Sequence, residues 1–198
     1  MCVITKNKSI IIRELKEGHV VVVPTDTVYG LAALISSEEA IRNIFTIKRR
    51  PITQPLSISV KDIKAINDVV QHIPPSAQEM INRDLPGPWT IILEKKQIIS
   101  DLITSGSRYV GVRVPNNALL LDILSSIAVP IVLTSANIHG SKDCVTAKEV
   151  ERQLGNAIEY ILDGGECSIG SPSAIISFIN DKKEIIRPGG FNNTNTNN

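Results

Sequence analysis

The sequence lacks the features that mark secreted, zinc-binding and membrane-spanning proteins. Its 198 residues contain only three cysteines, Cys2, Cys144 and Cys167, which are widely spaced and form no C-x-x-C pair. This pattern argues against a disulfide framework and a zinc site, and it suits a reducing cytosol. No apolar run approaches the ~20 residues that a membrane-spanning helix needs, and the charged amino terminus does not resemble a signal peptide. We therefore expect a cytoplasmic protein without a membrane segment.

The sequence also has little net charge and lacks several common catalytic motifs. The formal net charge is +1, so no global field would hold a nucleic acid non-specifically, although a local basic groove is still allowed. The patterns G-x-x-x-x-G-K-[ST], G-x-G-x-x-G and G-x-S-x-G are absent, which excludes a Walker nucleotidase and a Rossmann dehydrogenase and leaves no hydrolase elbow. No nucleophile–base pair stands out. The residues favour a site that binds and positions its substrates without attacking them covalently.

What is present is an interleaved pattern of helices and strands. Helical spacing and caps predict helices over residues 9–17, 37–48, 61–70, 74–84, 117–127 and 147–155. β-branched runs and alternation predict strands over residues 19–23, 55–60, 89–93, 109–115 and 130–137, and near 158–162, 173–179 and 184–187. Some strand connections are too short for a crossover helix, so we expect an α/β fold with a mixed sheet. The Asn-rich segment 191–198 is predicted to be a disordered tail.

Polar residues follow three predicted strands at the point where each strand ends. They lie in the segments "PTDT", "VRVP" and "TSAN", which contain Thr27, Arg113, Ser135 and Asn137. Each segment alone is compatible with a simple turn, and Asp26 is interpreted as a turn former. Ligands of open α/β sheets gather outside the carboxyl ends of strands, so three such ends favour one shared cleft.

A basic cluster ends the predicted helix 37–48. Lys48, Arg49 and Arg50 are followed by Pro51, which cannot continue the helix. The alternative interpretation is a solvated helix end, where cations complement the helix dipole. Three cations at one corner repel one another unless an anion binds there, and phosphate is the usual anion. The cluster therefore predicts an anion site.

Seven collinear segments together resemble one enzyme family. The segments "PTDTVYGLAA", "IKRRP…QPL", "PGPWTIIL", "VGVRVP", "TSANIHG", "SPSAII" and "IIRPG" resemble the YrdC-type threonylcarbamoyl-AMP synthases, in their short single-domain bacterial form. The resemblance implies a YrdC-like domain over residues 1–190, with an open twisted sheet flanked by helices and a concave basic cleft. It also implies a nucleotidyltransferase that condenses L-threonine, bicarbonate or CO2, and ATP with Mg²⁺ into threonylcarbamoyl-AMP and pyrophosphate. Other proteins would then transfer the threonylcarbamoyl group to tRNA, next to the anticodon.

The resemblance also assigns roles to individual residues. Matched position by position, the threonine side comprises Thr27, Ser59, Arg113, Leu133 (through its backbone) and Ser173. The ATP side comprises Lys48, Arg50, Gln54, Tyr109, Ser135, Asn137, Cys144 and Arg187. Lys48 and Arg50 would be catalytic, and they would contact phosphates together with Arg187. Arg113 would pair with the threonine carboxylate. No protein metal ligand is implied, because phosphate and water would hold most of the Mg²⁺.

Several positions depart from the family pattern, among them the segment "SKDCVT" and Ala174. Gln54 stands where Asn is frequent, Ser59 where many members have His, and Tyr109 replaces a small hydroxyl residue. None of these departures removes a phosphate-binding cation or the partner of the carboxylate. An active enzyme is therefore expected.

Two alternatives remain open at the level of sequence. A non-enzymatic module of the same fold that binds double-stranded RNA or tRNA is disfavoured by the low net charge and the 4% aromatic content. A carbamoyl-adenylating domain, as in hydrogenase maturation proteins, would depend on carbamoyl phosphate in place of threonine.

Overall fold

The computed structural model describes residues 2–190, and its centre is a ten-stranded mixed sheet. The strands are β1 (Val3–Thr5), β2 (Val21–Val23), β3 (Gly30–Leu34), β4 (Ser57–Ser59), β5 (Trp89–Glu94), β6 (Tyr109–Arg113), β7 (Ile131–Ser135), β8 (Tyr160–Leu162), β9 (Ala174–Ser177) and β10 (Glu184–Arg187). Their order across the sheet is β1-β8-β2-β3-β7-β4-β6-β5-β9-β10. Parallel pairs such as β4–β6 alternate with antiparallel pairs such as β3–β7. The predicted α/β class with a mixed sheet is confirmed.

Within residues 2–190, six α-helices surround this sheet. They are α1 (Lys8–Lys16), α2 (Glu38–Lys48), α3 (Pro75–Asp84), α4 (Asp101–Thr104), α5 (Ala118–Ile127) and α6 (Ala147–Leu154). Side-chain caps begin two of them as predicted: Ser37 accepts a hydrogen bond from the amide of Ala40, and Thr146 and Glu149 form a reciprocal capping box. Among residues 2–190, no helix is both long and apolar enough to cross a bilayer.

Several local predictions were wrong or incomplete. The helix expected over 61–70 is only a short 3-10 helix, Lys64–Asp68. The strand β3 was missed because the segment "GLAAL" has small residues and weak strand propensity; its pairing with β2 and β7 on either side makes it a strand. The short β1 and the one-turn α4 were also missed. The tail predicted over 191–198 lies outside the described residues.

The two faces of the sheet are covered unequally. One face packs against α2, α3, α4 and α6, whose buried residues form one large cluster with strand residues such as Val22 and Ile58. The other face is covered by α1 and α5 over β2, β3 and β7, where residues such as Val21, Ala32 and Ile131 are buried. Beyond β7 this second face changes character, because β4 and β6 direct small or polar residues to it. Half of one sheet face is thus left without a covering helix.

Candidate functional site

The uncovered half of the sheet forms the floor of a cavity of about 340 Å³. Alternate residues of five strands line this floor, namely Ser57, Ser59, Thr90, Ile92, Tyr109, Gly111, Arg113, Leu133, Ser135 and Ile175. Short side chains keep the floor open: a Cβ added at Gly111 would lie 2.9 Å from Cγ2 of Thr90. The loop after β2, the end of α2 and the end of β10 provide the walls. We call this cavity the cleft.

Arg113 ends β6 at one end of the cleft and is held by three hydrogen bonds. Its Nε donates to the carbonyl of Gly87 (3.2 Å), Nη1 to Oγ1 of Thr27 (2.9 Å), and Nη2 to Oδ1 of Asp26 (2.5 Å). Arg113 and Asp26 are both buried, with 7% and 5% of their surface exposed. Burial lowers the pKa of Arg113, and the negative charge of Asp26 opposes that shift. This buried ion pair fixes the guanidinium in one orientation.

The loop after β2 turns around the hydroxyl of Thr25. This Oγ1 donates to the carbonyl of Val28 (2.7 Å) and accepts from the amides of Thr27 and Val28 (3.0 and 3.2 Å). It also lies 2.9 Å from Oγ1 of Thr27. Tyr29 follows in the core, where its hydroxyl donates to the carbonyl of Gly165 (2.7 Å). The loop is therefore rigid, and it holds Thr27 against Arg113 on the cleft wall.

The basic cluster at the end of α2 is split by a left-handed residue. Arg49 adopts φ 51° and ψ 40°, which ends the helix and reverses the chain. Lys48 is consequently buried, Arg49 is exposed, and Arg50 reaches the cleft. Arg50 donates to the carbonyls of Gln54 (3.5 Å) and Pro55 (3.0 Å). The one-residue spacing of Lys48 and Arg50 thus directs the two cations to different places.

Lys48 lies beneath the loop that follows β7. Its Nζ donates to the carbonyls of Ser135 (2.5 Å) and Asn137 (2.9 Å) and to Oδ1 of Asn137 (3.1 Å). The same Oδ1 accepts from Oγ of Ser135 (2.7 Å), and the Asn137 amide donates to the carbonyl of Ser141 (2.7 Å). Burial, and secondarily the charge of Arg50, lower the pKa of Lys48 to about 8. The ammonium is a buried cation whose three hydrogens all have protein acceptors.

Arg187 approaches the cleft from the outer strand β10. A register shift between Ile185 and Arg187 marks a β-bulge in the β9–β10 pair. The guanidinium donates to the carbonyl of Ser173 through Nε (3.2 Å) and Nη2 (2.7 Å), and the Ser173 hydroxyl lies 2.9 Å from Oγ1 of Thr90. Within residues 2–190 neither Arg187 nor Arg50 forms an ion pair of the Arg113 kind. Desolvation lowers the pKa of Arg187; nearby Asp143 opposes this shift, and the charge of Arg113 adds to it.

The structure brings most of the predicted site residues to this one cavity. Nine of them line it: Thr27, Arg50, Ser59, Tyr109, Arg113, Leu133, Ser135, Ser173 and Arg187. Four others are not part of its lining: Lys48, Gln54, Asn137 and Cys144. Lys48 and Asn137 support the loop beneath Ser135, and the Gln54 amide lies 3.4 Å from Nε2 of His139. Cys144 is buried, and desolvation raises the pKa of its thiol to about 11. Its carbonyl accepts from the amide of Tyr29 (2.8 Å).

Sequence reasoning missed the role of Asp26. The turn interpretation was incomplete, because the carboxylate also forms an ion pair with Arg113 across 87 residues of sequence. One signal was available: an arginine on the apolar strand "YVGVRV" needs a buried counter-charge, and Asp26 lies at a neighbouring predicted strand end. The hydroxyls of Thr25, in the wall of the cleft, and of Thr90, in its floor, were also missed.

Acidic groups that could hold a metal ion lie elsewhere. Among the described residues 2–190, the one group of three such side chains is Glu14, Glu17 and His19, at the end of α1. Glu14 already accepts from Arg13 and His19 (2.7 and 2.8 Å). The lining of the cleft has hydroxyls and arginines in place of such a group, so this part of the chain suits an anion better than a bare cation.

The chain matches the model of a known family. Residues 13–189 match the Sua5/YciO/YrdC family, which is described under the heading telomere recombination. A Methanocaldococcus jannaschii protein, provisionally named a threonylcarbamoyl-AMP synthase, is 37% identical over 89% of this chain and 83% of its own length. The threonylcarbamoyl-AMP synthase of Bacillus subtilis is 35% identical over 89% of this chain, which spans only 51% of that relative.

A solved structure of a protein with a similar sequence has the same fold. Pyrococcus abyssi Sua5, determined in complex with L-threonine, superimposes with a TM-score of 0.88 at 35% identity. The alignment covers 91% of this chain and 53% of the Pyrococcus chain. The half of that longer chain that this protein matches therefore has the same fold.

Proposed function

The chain belongs to the Sua5/YciO/YrdC family, and we propose that it is an L-threonylcarbamoyladenylate synthase, a nucleotidyltransferase. The proposed substrates are L-threonine, bicarbonate or CO2, and ATP, and the products are threonylcarbamoyl-AMP and pyrophosphate, with water also released when bicarbonate supplies the carbon. One observation supports this function above the others. A single cavity is lined by a neutralised arginine, Arg113, and by two arginines, Arg50 and Arg187, that have no ion-pair partner among residues 2–190.

The end at Arg113 suits an amino acid. Of the five N–H groups of a guanidinium, Arg113 uses three on Gly87, Thr27 and Asp26. Nη1 and Nη2 each keep one N–H without a protein acceptor among residues 2–190. Two donors on one planar group match a carboxylate, which supports binding of the threonine carboxylate here. Ser59 and Ser173 lie on the same cleft and would contact the rest of the amino acid.

The end at Arg50 and Arg187 suits a triphosphate. Both guanidiniums are held through main-chain carbonyls, so their positive charges stay available to an anion. With Lys48 there are three cations at this end, against the single carboxylate Asp143 that influences Lys48 and Arg187. Excess positive charge at fixed positions stabilises phosphoryl oxygens as charge develops on them. Mg²⁺ would arrive with the triphosphate, bound mainly by phosphate oxygens and water.

Positioning suffices for the proposed chemistry. The threonine amine adds to CO2 and loses a proton, which gives a carbamate. A carbamate oxygen then attacks the α-phosphorus of ATP, a new P–O bond forms, and the bond to pyrophosphate breaks. The protein would hold the two reactants in line and neutralise the leaving pyrophosphate. No protein nucleophile is needed, and the raised pKa of Cys144 keeps that thiol protonated near neutral pH.

Pyrophosphate release from labelled ATP tests this function. The purified protein should release pyrophosphate only when threonine, bicarbonate and Mg²⁺ are all present. The variant Asp122→Asn, which changes an exposed carboxylate paired with Lys8, should behave like the wild type. Release that does not require threonine, or no release at all, contradicts the proposal. Dependence on carbamoyl phosphate would instead indicate the carbamoyl-adenylating reaction.

The product would serve tRNA modification. We propose that partner proteins in the cytoplasm transfer its threonylcarbamoyl group to the adenosine beside the anticodon. The alternative of a purely RNA-binding module is not favoured by the relatives, which are named as synthases. Direct binding of tRNA by this chain remains a separate prediction, and it would show a steep dependence on salt.

A further inference from the structure

We propose that Asp26 is a positioning residue that makes the amino-acid end of the cleft electrically neutral and thereby selects a zwitterion over an anion. This inference rests on the proposed function, because it concerns the site at which threonine would bind. It assigns Asp26 a role beyond the turn that its sequence context indicates.

The ion pair with Arg113 is the first observation. Asp26 Oδ1 lies 2.5 Å from Nη2 of Arg113, and the side chains of the two residues are only 4% and 8% exposed. Arg113 lines the cleft, whereas Asp26 lies behind it and is absent from the lining. A ligand therefore meets the guanidinium, not the carboxylate. Asp26 acts through Arg113, whose rotation it restricts.

The second oxygen of Asp26 indicates that the charge itself matters. Oδ2 is buried and has no hydrogen-bond partner within residues 2–190. A buried oxygen without a hydrogen-bond partner is unfavourable, and native structures contain few of them. The turn itself is built around Thr25 Oγ1, which binds the amides of Thr27 and Val28. Because the turn does not require a carboxylate, the negative charge beside Arg113 explains this residue better.

Neutrality decides which ligands this end accepts. The Arg113–Asp26 pair has no net charge, and an amino-acid zwitterion has none either, so their association buries no excess charge. A phosphate at the same place would add negative charge to a neutral, mostly buried pair, which is unfavourable. Without the Asp26 charge, Arg113 would resemble Arg50, a cation open to any anion.

The hydroxyl of Thr27 is a second group that a ligand meets at this end. Thr25 Oγ1 gives its one hydrogen to the Val28 carbonyl and accepts from the amides of Thr27 and Val28, which uses both of its lone pairs. The Thr27 hydroxyl, 2.9 Å away, therefore keeps its hydrogen for another acceptor. Because Thr27 Oγ1 also accepts from Arg113, it offers a ligand one hydrogen and one lone pair.

Calorimetry with threonine and orthophosphate tests the proposal without requiring turnover. A nonhydrolysable ATP analogue first fills the other end of the cleft, and threonine is then titrated into wild type, Asp26→Asn and the control Asp122→Asn. We expect Asp26→Asn to weaken threonine binding about tenfold or more, because a charge-assisted contact that orients Arg113 is lost. Orthophosphate should compete with threonine only in Asp26→Asn. The steady-state KM for threonine should rise while the KM for ATP stays unchanged.

The outcomes separate this inference from the proposed function. If wild type does not bind threonine, the proposed function fails. If wild type binds threonine and Asp26→Asn binds it equally well, or if orthophosphate fails to compete in that variant, only the role of Asp26 is overturned. If Asp26→Asn does not fold, Asp26→Glu decides. Asp26→Glu keeps the negative charge but displaces it, so this variant should bind threonine more weakly and should still exclude orthophosphate. If it binds threonine with wild-type affinity, or if orthophosphate competes with threonine in it, the proposal is overturned.

Discussion

The two ends of the cleft hold their arginines in opposite ways. Arg113 is buried and paired with Asp26, and three of its N–H groups have protein acceptors. Arg50 and Arg187 donate to main-chain carbonyls and keep their net charge. A paired guanidinium also stabilises the fold, whereas an unpaired one acts chiefly as a binding group. Mutations at the Arg113 end should therefore reduce stability strongly, and mutations at the Arg50 end should chiefly reduce anion affinity.

The largest effect is expected for Arg113→Ala. It leaves the Asp26 carboxylate buried without a counter-charge, which should lower the free energy of unfolding by about 3–5 kcal/mol. Urea denaturation measures this loss. The double variant Asp26→Ala with Arg113→Ala should lose less unfolding free energy than the single variant, since it leaves no buried charge without a partner. A loss below about 1 kcal/mol in the single variant would mean that the pair has no structural role.

Lys48 differs from both kinds of arginine in the cleft, because it is a buried cation without a carboxylate partner among residues 2–190. Its pKa is about 8 in the folded protein, against an ordinary value of 10.5. Between these values the unfolded chain binds more protons than the folded chain, so the Lys48 contribution to stability rises with pH. The rise across this window should be about 3 kcal/mol.

The variant Lys48→Met isolates this contribution. Unfolding free energies of wild type and variant are measured from about pH 7 to pH 10.5, and their difference should grow in favour of wild type. Taking the difference removes most of the opposing effect of Cys144, whose raised pKa makes stability fall with pH in the alkaline range, and leaves only the small part of that shift that comes from the charge of Lys48. The exposed Lys142→Met is the matched control and should give a flat difference. A flat difference for Lys48→Met contradicts the buried, easily deprotonated ammonium.

Arg50→Ala should separate affinity from stability. Loss of one charge-assisted phosphate contact is worth roughly 1.5–3 kcal/mol, or about 10- to 100-fold in affinity for a nonhydrolysable ATP analogue. The urea midpoint should stay close to that of wild type, because Arg50 has no buried counter-charge to strand. Arg49→Ala is the neighbouring control, since that side chain is exposed. Equal ATP affinity in Arg50→Ala and wild type would remove Arg50 from the phosphate end.

The smallest effect is expected at the left-handed residue between the two cations. Glycine adopts the observed φ of 51° at Arg49 without strain, so Arg49→Gly should change stability by less than about 1 kcal/mol and leave ATP affinity intact. Arg49→Val should lower the thermal midpoint, because a β-branched residue is disfavoured there. If Arg49→Gly weakens ATP binding, the Arg49 side chain itself takes part in the site.

Residue patterns predicted much of the architecture because they report local chemistry. Alternation in "YVGVRV" identified β6 and the face of Arg113, and the capping residues Ser37 and Thr146 identified the starts of α2 and α6. The failures have a common cause. β3 is a strand through its neighbours, and the segment 61–70 has only a short helix because tertiary packing overrides its weak helical pattern.

The sequence by itself determined that hydroxyls, amides and arginines stand at several strand ends, and that three cations end α2. Only the tertiary structure decided how those groups are partnered. Lys48 is buried and the left-handed Arg49 beside it is exposed, and a contact across 87 residues joins Asp26 to Arg113. Periodicity fixes the face on which a side chain lies, but counter-charges and hydrogen-bond acceptors come from strands that are distant in sequence. Whether an arginine is a structural ion pair or a free anion site depends on those partners.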